Sequence, residues 1–288
     1  MKSLQFILDR EALEIIYASF IRPIMEYGCT LWDGCTETDA LKLERVQLTA
    51  ARIITGAMLT TSNEKLYEET GLVTLAKRRE TFKLTQMYKI NNNLAPNYLS
   101  NISPFGENFE RQRNTRQTGL PLFRTRTALF ENSFFPSTTR LWNELPLDVR
   151  NLKSLTEFKK SIASSVPRSL KQVDLYYIGK RFLSVLHSRL RMGRSQLKAH
   201  LFKIGVSISP DCSCGQGIED AWHYFFVCPQ YAIQRDLLHR NVSLYASFTL
   251  QTVLYGAPEC SLDNNKSIFL SVHEYILKTQ RFKPNAVT

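Results

Sequence analysis

The sequence predicts a mainly α-helical fold: a helical bundle, an irregular Arg-rich middle with room for a short hairpin, and a small zinc-stabilised helical module near the C-terminal end. Three observations lead to this prediction. Apolar residues recur at helical spacing through most of the chain. Of the 288 residues, 43% are apolar, which is enough to bury cores and excludes a disordered tail. Three cysteines and one histidine fall close together in the last third of the chain.

The first predicted domain covers residues 1–104 and is helical throughout. Apolar residues at helical spacing predict a first helix, in which Pro23 would either cause a kink or start a second part. The Asp-Gly pair after Trp32 would end this helix. Thr38 or Asp39 can cap the helix that follows. The four helices predicted in this domain lie at about residues 9–32, 39–57, 63–70 and 75–91.

The second predicted domain, residues 105–165, begins with a basic stretch of little periodicity. Its arginines are Arg111, Arg113, Arg116, Arg124 and Arg126. Two interpretations stay open: a solvated loop or hairpin, and an arm that contacts the backbone of a nucleic acid. An aromatic-rich helix ending near Pro146 and a short amphipathic helix over residues 155–162 follow, and the linker 164–167 marks the predicted boundary.

The third predicted domain, residues 166–288, begins with a strongly basic stretch. Between residues 180 and 203 there is no acidic side chain. The cations are Lys180, Arg181, Arg189, Arg191, Arg194, Lys198 and Lys203. A run of charge is usually a solvated face, but the lack of acids and the formal net charge of +11 favour contact with a polyanion. The sequence therefore predicts a nucleic-acid-binding surface here, made of RNA- or DNA-contacting Lys and Arg.

Cys212, Cys214, His223 and Cys228 are the predicted metal ligands. Three thiolates and one imidazole make a complete tetrahedral set for a structural Zn²⁺ ion. Both His223 and Cys228 can face one point if a helix begins near Glu219 and ends by residue 229. The alternatives are a metal-free remnant, or three buried reduced thiols beside a core histidine. His239 could replace His223 if the turn were longer.

The remaining sequence signals concern the compartment. No N-terminal stretch has the order of a secretory signal, and no apolar run approaches the roughly 20 residues of a spanning helix. We therefore expect an intracellular protein of the nucleus or cytoplasm, without membrane association and with reduced cysteines. Cys29, Cys35 and Cys260 are interpreted as core thiols. The sequence names no protein partner.

Four ordered segments of the chain resemble the C-terminal region of non-LTR (LINE-type, jockey-like) retrotransposon reverse transcriptases, namely the thumb and the Cys/His tail. The end of the chain, residues 275–282, is also similar to that family. The four segments are 17–32 with 43–56; 75–79 with 87–90 and 94–99; 132–146 with 158–160; and 189–193 with the four Cys/His ligands and 228–231. Each is weak alone, but together they follow the family's order over almost the whole chain.

The resemblance implies nucleic-acid binding without catalysis. Polymerases of this family hold two Mg²⁺ ions on an Asp-Asp box in the palm. This sequence contains no Asp-Asp pair, so no catalytic residue is predicted. The resemblance instead implies the grip of a thumb and the nucleic-acid binding of a Cys/His tail. Three alternatives stay open: a zinc-stapled protein-interaction module, an inert remnant of a transposable element, and a truncated form of an active RNA-directed DNA polymerase.

Overall fold

The computed structural model describes residues 1–103, 119–163 and 175–282, and the mainly helical fold predicted from the sequence is confirmed. Within these ranges, strand-type pairing is confined to one antiparallel bridge between Asp211 and Ile218. None of the helices in this part of the chain is both long and apolar enough to cross a membrane. The predicted linker 164–167 and the cations Arg111, Arg113 and Arg116 lie outside the described residues.

The α-helices are numbered in chain order. Those before residue 119 are α1 (Arg10–Ile16), α2 (Arg22–Glu26), α3 (Cys29–Trp32), α4 (Glu37–Thr55), α5 (Asn63–Thr70), α6 (Leu75–Asn91) and α7 (Asn97–Ile102). Those of the middle are α8 (Ala128–Glu131), α9 (Phe134–Glu144), α10 (Leu147–Arg150) and α11 (Leu155–Ile162). The last are α12 (Arg181–Arg191), α13 (Lys198–Lys203), α14 (Ala232–Ser243), α15 (Leu250–Tyr255) and α16 (Leu262–Thr279).

The predicted first helix has two parts, and Pro23 lies in the first turn of the second part, α2, as one of the two predictions for Pro23 has it. The first part, α1, continues into a π-helical turn over Tyr17–Ile21 that leads directly into α2. The helix ends at Tyr27, earlier than predicted. Gly28 then has φ 59°, a left-handed conformation that suits glycine and separates α2 from α3.

The described residues fall into two compact units that do not follow the chain consecutively. One, here called the C-terminal unit, contains Met1–Ala18, Leu48–Leu72 and the described residues 175–282. The other, the central unit, contains Ser19–Gln47 and the described residues of 73–163. Residues 1–104, which the sequence suggested as one domain, therefore contribute to both units. The reason is that helical periodicity reports which face of a helix is buried, but not the helix against which it packs.

The core of the C-terminal unit contains a cluster of aromatic side chains among its aliphatic residues. Tyr224 and Tyr275 meet edge to face with ring centroids 5.1 Å apart, and Phe225 stacks on Tyr275 at 5.4 Å. The Tyr275 hydroxyl donates to the Tyr224 carbonyl at 2.5 Å, so this buried polar group is satisfied. Each such ring contributes about 1.5–3 kcal/mol by burial alone. One face of α16 is buried in this core, with Ile268 and Val272 fully enclosed.

The central unit has its own core around Phe158 of α11. The Phe158 ring stacks on Tyr88 of α6 at 4.4 Å and lies 5.7 Å from the ring of Trp142 in α9. The Tyr88 hydroxyl donates to the Leu152 carbonyl at 2.9 Å. Beside this core, Asp33 accepts a 2.6 Å hydrogen bond from Nε of an α6 arginine, Arg79. Helices α6, α9 and α11 are thus held by one aromatic cluster.

Candidate metal centre and basic surface

A tight turn presents the first two cysteines of the candidate metal centre. The Cys212 N–H donates to the Gly217 carbonyl at 2.8 Å, and the Gly215 N–H donates to the Cys212 carbonyl at 3.0 Å. Gly215 and Gly217 have φ values of 75° and 122°, which L-residues with a side chain adopt only with strain. These two glycines let the chain reverse within a few residues, so that Cys212 and Cys214 face the same side.

A π-helical turn presents the other two candidate ligands. The segment His223–Val227 is π-helical, and the Cys228 N–H donates to the His223 carbonyl, five residues back, at 2.8 Å. In an α-helix, residues five apart would point roughly 140° away from each other. The wider turn brings His223 and Cys228 to one point, which is the local reason for the π geometry. Asp220 caps this segment, its Oδ1 accepting from the His223 N–H at 2.7 Å.

The four ligand atoms converge. All of them lie within 4.8 Å of one another, and Cys212, His223 and Cys228 are buried. The sulfurs of Cys212 and Cys228 are 3.7 Å apart, and Cys214 Sγ lies 3.2 Å from His223 Nε2. A tetrahedral Zn²⁺ with bonds of about 2.0–2.3 Å needs ligand separations of roughly 3.5–3.8 Å. The predicted ligand set is therefore brought together as a cluster that could hold a metal ion.

His239, the alternative ligand, does not join this cluster. It is exposed on α14, and its ring packs edge to face against Phe248 at 5.0 Å between centroids. The histidines at 187, 200 and 273 are buried and also lie outside the cluster. Of the three cysteines interpreted as core thiols, Cys29 and Cys260 are buried, whereas Cys35 is only half-buried. Only the predicted four residues assemble a ligand set among the described residues.

The thiols of the cluster cannot all be charged without a cation. The pKa of Cys228 is raised to about 12, mainly by burial and in part by hydrogen bonds with Cys212 and Cys214. At Cys214 burial also raises the pKa, but the Gln216 N–H and the neighbouring thiols outweigh it and leave the pKa below its usual value. The thiol of Cys214 therefore ionises more readily than an ordinary cysteine, and the thiol of Cys228 ionises less readily. A bound divalent cation would favour the thiolate at every position.

Glu219 connects the turn that carries Cys212 and Cys214 to the rest of the C-terminal unit. Its buried carboxylate receives two hydrogen bonds of 2.6 Å from Nε and a terminal nitrogen of Arg281. The same carboxylate accepts from the Lys198 N–H at 2.8 Å, at the start of basic helix α13. Burial raises the pKa of Glu219, but these bonds more than offset it and the pKa is lowered. The turn that carries the cluster and the basic helix are therefore one hydrogen-bonded assembly.

Arg191, predicted to contact nucleic acid, is instead a buried structural residue, which corrects that assignment. Its guanidinium donates to Glu69 through a terminal nitrogen at 2.7 Å and through Nε at 3.1 Å. Arg10 donates to the same carboxylate at 2.8 Å, and the guanidinium of Arg191 lies 4.0 Å from the Tyr176 ring centroid. A side chain buried this far cannot reach a phosphate outside the protein.

Arg181 and Arg189 also differ from the prediction, because both donate to the C-terminal end of α4. Arg181 donates to the Ile53 carbonyl at 2.6 Å, and Arg189 donates through Nε to the Gly56 carbonyl at 2.7 Å. These carbonyls have no partner within the helix, and cations are favoured at this end of the helix dipole. Burial, followed by the nearby Arg10 charge, lowers the pKa of Arg181 to about 10. The two side chains are half-buried, so part of each remains accessible.

The other described cations of the predicted nucleic-acid-binding surface are exposed or half-buried. Lys180 is exposed, Lys198 is half-buried, and Arg194 is half-buried and donates through Nε to the Thr60 carbonyl at 3.3 Å. Arg124 and Arg126 are exposed in the central unit. The basic stretch therefore divides into cations that hold the fold and cations that face solvent.

Sequence reasoning missed the two anchoring carboxylates. Glu69 is buried while Glu64 and Glu68 of the same helix are exposed, and nothing in the local sequence separates the three. Glu219 was interpreted only as the start of a helix. The signal that could have found them is an excess of arginines in buried apolar segments, since a buried cation requires a partner.

Comparison of the chain with protein-family models, with curated proteins and with solved structures finds no match.

Proposed function

We propose that this chain is a non-catalytic nucleic-acid-binding protein, built like the C-terminal region of a non-LTR retrotransposon reverse transcriptase and held together by a structural Zn²⁺ ion. The observation that carries the proposal is the Glu219 carboxylate. It joins the turn bearing Cys212 and Cys214 to the first residue of basic helix α13 and to Arg281. Metal binding and the position of the cations are thereby coupled.

Zinc is favoured over other divalent metals by the donor set. Three sulfurs and one imidazole nitrogen suit Zn²⁺, whereas Mg²⁺ and Ca²⁺ require oxygen ligands. The site supplies four protein ligands and so leaves no position for a substrate water, which is the arrangement of a structural rather than a catalytic zinc. In this role the metal stabilises the turn and performs no reaction.

Nucleic acid is favoured as the partner by charge. The formal net charge is +11, and exposed or half-buried cations remain at Lys180, Arg194 and Lys198. Lys and Arg bound to phosphates would give binding that depends little on sequence and falls steeply with salt. The lack of an Asp-Asp pair in the sequence supports the absence of polymerase chemistry from this chain.

The test is a filter-binding titration of the zinc-loaded protein against labelled RNA and DNA at increasing salt. We expect a linear fall of log K with log salt, whose slope gives the number of phosphates neutralised. Absence of binding to either nucleic acid at low salt would overturn the proposal. A primer-extension assay with the same protein, and sequencing of the 5′ end of the transcript, would detect the alternative of a truncated active polymerase.

A protein-interaction module is the second candidate, and one observation favours it. Phe20, Ile24, Tyr27 and Leu31 of the central unit, spaced by four, three and four residues, are between 68% and 89% exposed. Exposed apolar residues in such a series often mark a protein-binding surface. Sedimentation measurements would support this candidate if the wild type self-associates, the Ile24→Ser, Leu31→Ser variant does not, and neither binds nucleic acid.

A further inference from the structure

A cleft in the C-terminal unit was not foreseen from the sequence. It has a volume of about 820 Å³, within the range of roughly 300–1,000 Å³ in which proteins bind small ligands. Its walls come from the N-terminal segment, the end of α4 and helix α12. The charged and aromatic residues that line it include Lys2, Phe6, Arg52, Arg181, Phe182 and Arg189.

The lining of the cleft carries positive charge only. Four of its residues are cations, Lys2, Arg52, Arg181 and Arg189, and none of the described residues that line it is acidic. The end of α4 supplies a partial negative charge of about −0.5, which offsets only a small part of four positive charges. The cleft therefore has an excess of positive charge that a bound anion would neutralise.

The arginines of the cleft are not fully satisfied by the protein. The Nε atoms of Arg52 and Arg181 are buried and have no hydrogen-bond partner in the described structure. The bonds from Arg52 to the Thr61 carbonyl and to Asn63 are long, at 3.4 Å each. Burial lowers the pKa of Arg189 as well as that of Arg181, which means that the charged form of each lacks compensating negative charge.

The rim of the cleft carries exposed aromatic rings. Phe6 is 85% exposed and Phe182 is 51% exposed, although both line the cleft. Large apolar rings left in water beside a row of cations are the combination by which proteins hold unpaired bases and their phosphates together. An acidic peptide would satisfy the cations but would leave these rings without a function.

We propose that this cleft binds a single strand of nucleic acid, with phosphates against Lys2, Arg52 and the accessible parts of Arg181 and Arg189, and with bases stacked on Phe6 and Phe182. The inference rests on the proposed nucleic-acid binding and states where and in what form the strand is held. Arginine suits this position because its planar group pairs with phosphate oxygens through two parallel hydrogen bonds.

The experiment measures fluorescence anisotropy of a labelled strand of about 12 nucleotides, as RNA and as DNA, and of a hairpin duplex. The variants are Lys2→Gln with Arg52→Gln, Phe182→Ala, and Phe182→Trp. The control is Arg240→Gln with Lys278→Gln, which removes the same charge from exposed positions of the same unit. Metal content and the thermal melting curve establish that each variant is folded.

We expect the wild type to prefer the single strands. The Lys2, Arg52 variant should lower the magnitude of the salt slope by about 1.4, since each phosphate contact on a single strand contributes about 0.7. Phe182→Ala should weaken binding about 5- to 150-fold with little change in that slope, and Phe182→Trp should retain the affinity. The control should leave the salt slope close to that of the wild type.

Three results would contradict the proposals, and they can be told apart. If the wild type binds neither single strands nor duplex at low salt, the proposed function itself fails. If it binds but the cleft variants behave like the control, the function stands and the cleft is not the site. Displacement of the strand by a poly-glutamate peptide, with Phe182→Ala unchanged in affinity, would also overturn the inference.

Discussion

Arg191 and Glu69, 122 residues apart in the sequence, form a two-pronged ion pair in the interior of the C-terminal unit, with separations of 2.7 and 3.1 Å. Arg10 and the Ser188 hydroxyl complete the coordination of the carboxylate, each at 2.8 Å. Three helices, α1, α5 and α12, thus converge on one buried charge. The arginines lower the pKa of Glu69 to about 2, although burial alone would raise it.

Removing the charge of Glu69 should destabilise the protein strongly. Glu69→Gln leaves the buried Arg191 without this counter-charge and leaves Arg10 with Glu14, 3.2 Å away. Breaking a buried pair in this way costs about 3–5 kcal/mol. Urea unfolding followed by circular dichroism measures the change. Glu68→Gln, an exposed position on the same helix, is the control and should change the free energy of unfolding by less than about 0.5 kcal/mol. Equal stability of the two variants would contradict a structural role for the pair.

Acid should destabilise the protein in two successive ranges of pH. Burial lowers the pKa of His273 to about 4 from its usual 6.5, so the unfolded state takes up a proton first and stability falls as the pH drops from 6.5 to 4. The stabilisation by ionised Glu69 is complete above pH 4.5 and is lost as the pH falls from there towards about 2. His273→Gln should reduce the slope of the free energy of unfolding against pH, between pH 6.5 and 4, by about 1.4 kcal/mol per pH unit.

The control for this titration is His239→Gln, because His239 is exposed. It should leave the pH dependence of the free energy of unfolding unchanged. A His273→Gln variant with the full wild-type slope between pH 6.5 and 4 would show that another group takes up the proton.

Replacing one cluster cysteine should remove the metal and unfold its surroundings. Cys212→Ser leaves three ligands, and because metal binding stabilises only the folded turn, loss of the ion should unfold roughly residues 189–238. Elemental analysis and circular dichroism measure both effects. Cys260→Ser, which alters a buried thiol outside the cluster, should keep one zinc per chain. Unchanged zinc in the Cys212 variant would refute the ligand assignment.

Backbone strain at Gly215 should affect metal affinity specifically. An alanine there would meet no neighbouring atom, so its effect comes only from the left-handed φ of 75° and should be about 1 kcal/mol. A loss of that size in the folded turn corresponds to roughly fivefold weaker zinc binding. Gly205→Ala is a close control, with φ 73° and open space around it. Zinc affinity, measured by competition with a chromophoric chelator, should be lower for Gly215→Ala than for Gly205→Ala.

The sequence predicted the parts of this molecule that depend on local pattern. Helix α6 occupies residues 75–91, as predicted, and in the structure the Thr74 side chain caps it by accepting from the Lys77 N–H. The assembly of the Cys/His cluster was also predictable, because three cysteines and one histidine at this spacing are typical of a structural zinc site. Both predictions rest on residues that are near one another in the chain.

The cations show why the rest could not be predicted. Arg181, Arg189 and Arg191 belong to one basic helix, but their partners are carbonyls of α4 and the carboxylate of α5. A run of arginines has the same sequence signature whether it faces solvent or the end of another helix. Only the packing of distant segments distinguishes a capping cation from a cation that is free for a partner.

The interleaved path of the chain has a consequence for synthesis on the ribosome. Glu69 is translated long before Arg191, and at about 5–20 residues per second their separation corresponds to roughly 6–24 s. During that interval Glu69 lacks the counter-charge of Arg191, so the buried ion pair that joins α5 to α12 cannot form until α12 has been synthesised. The order in which the two units mature is therefore set by connectivity: the unit that holds both early and late segments is completed last.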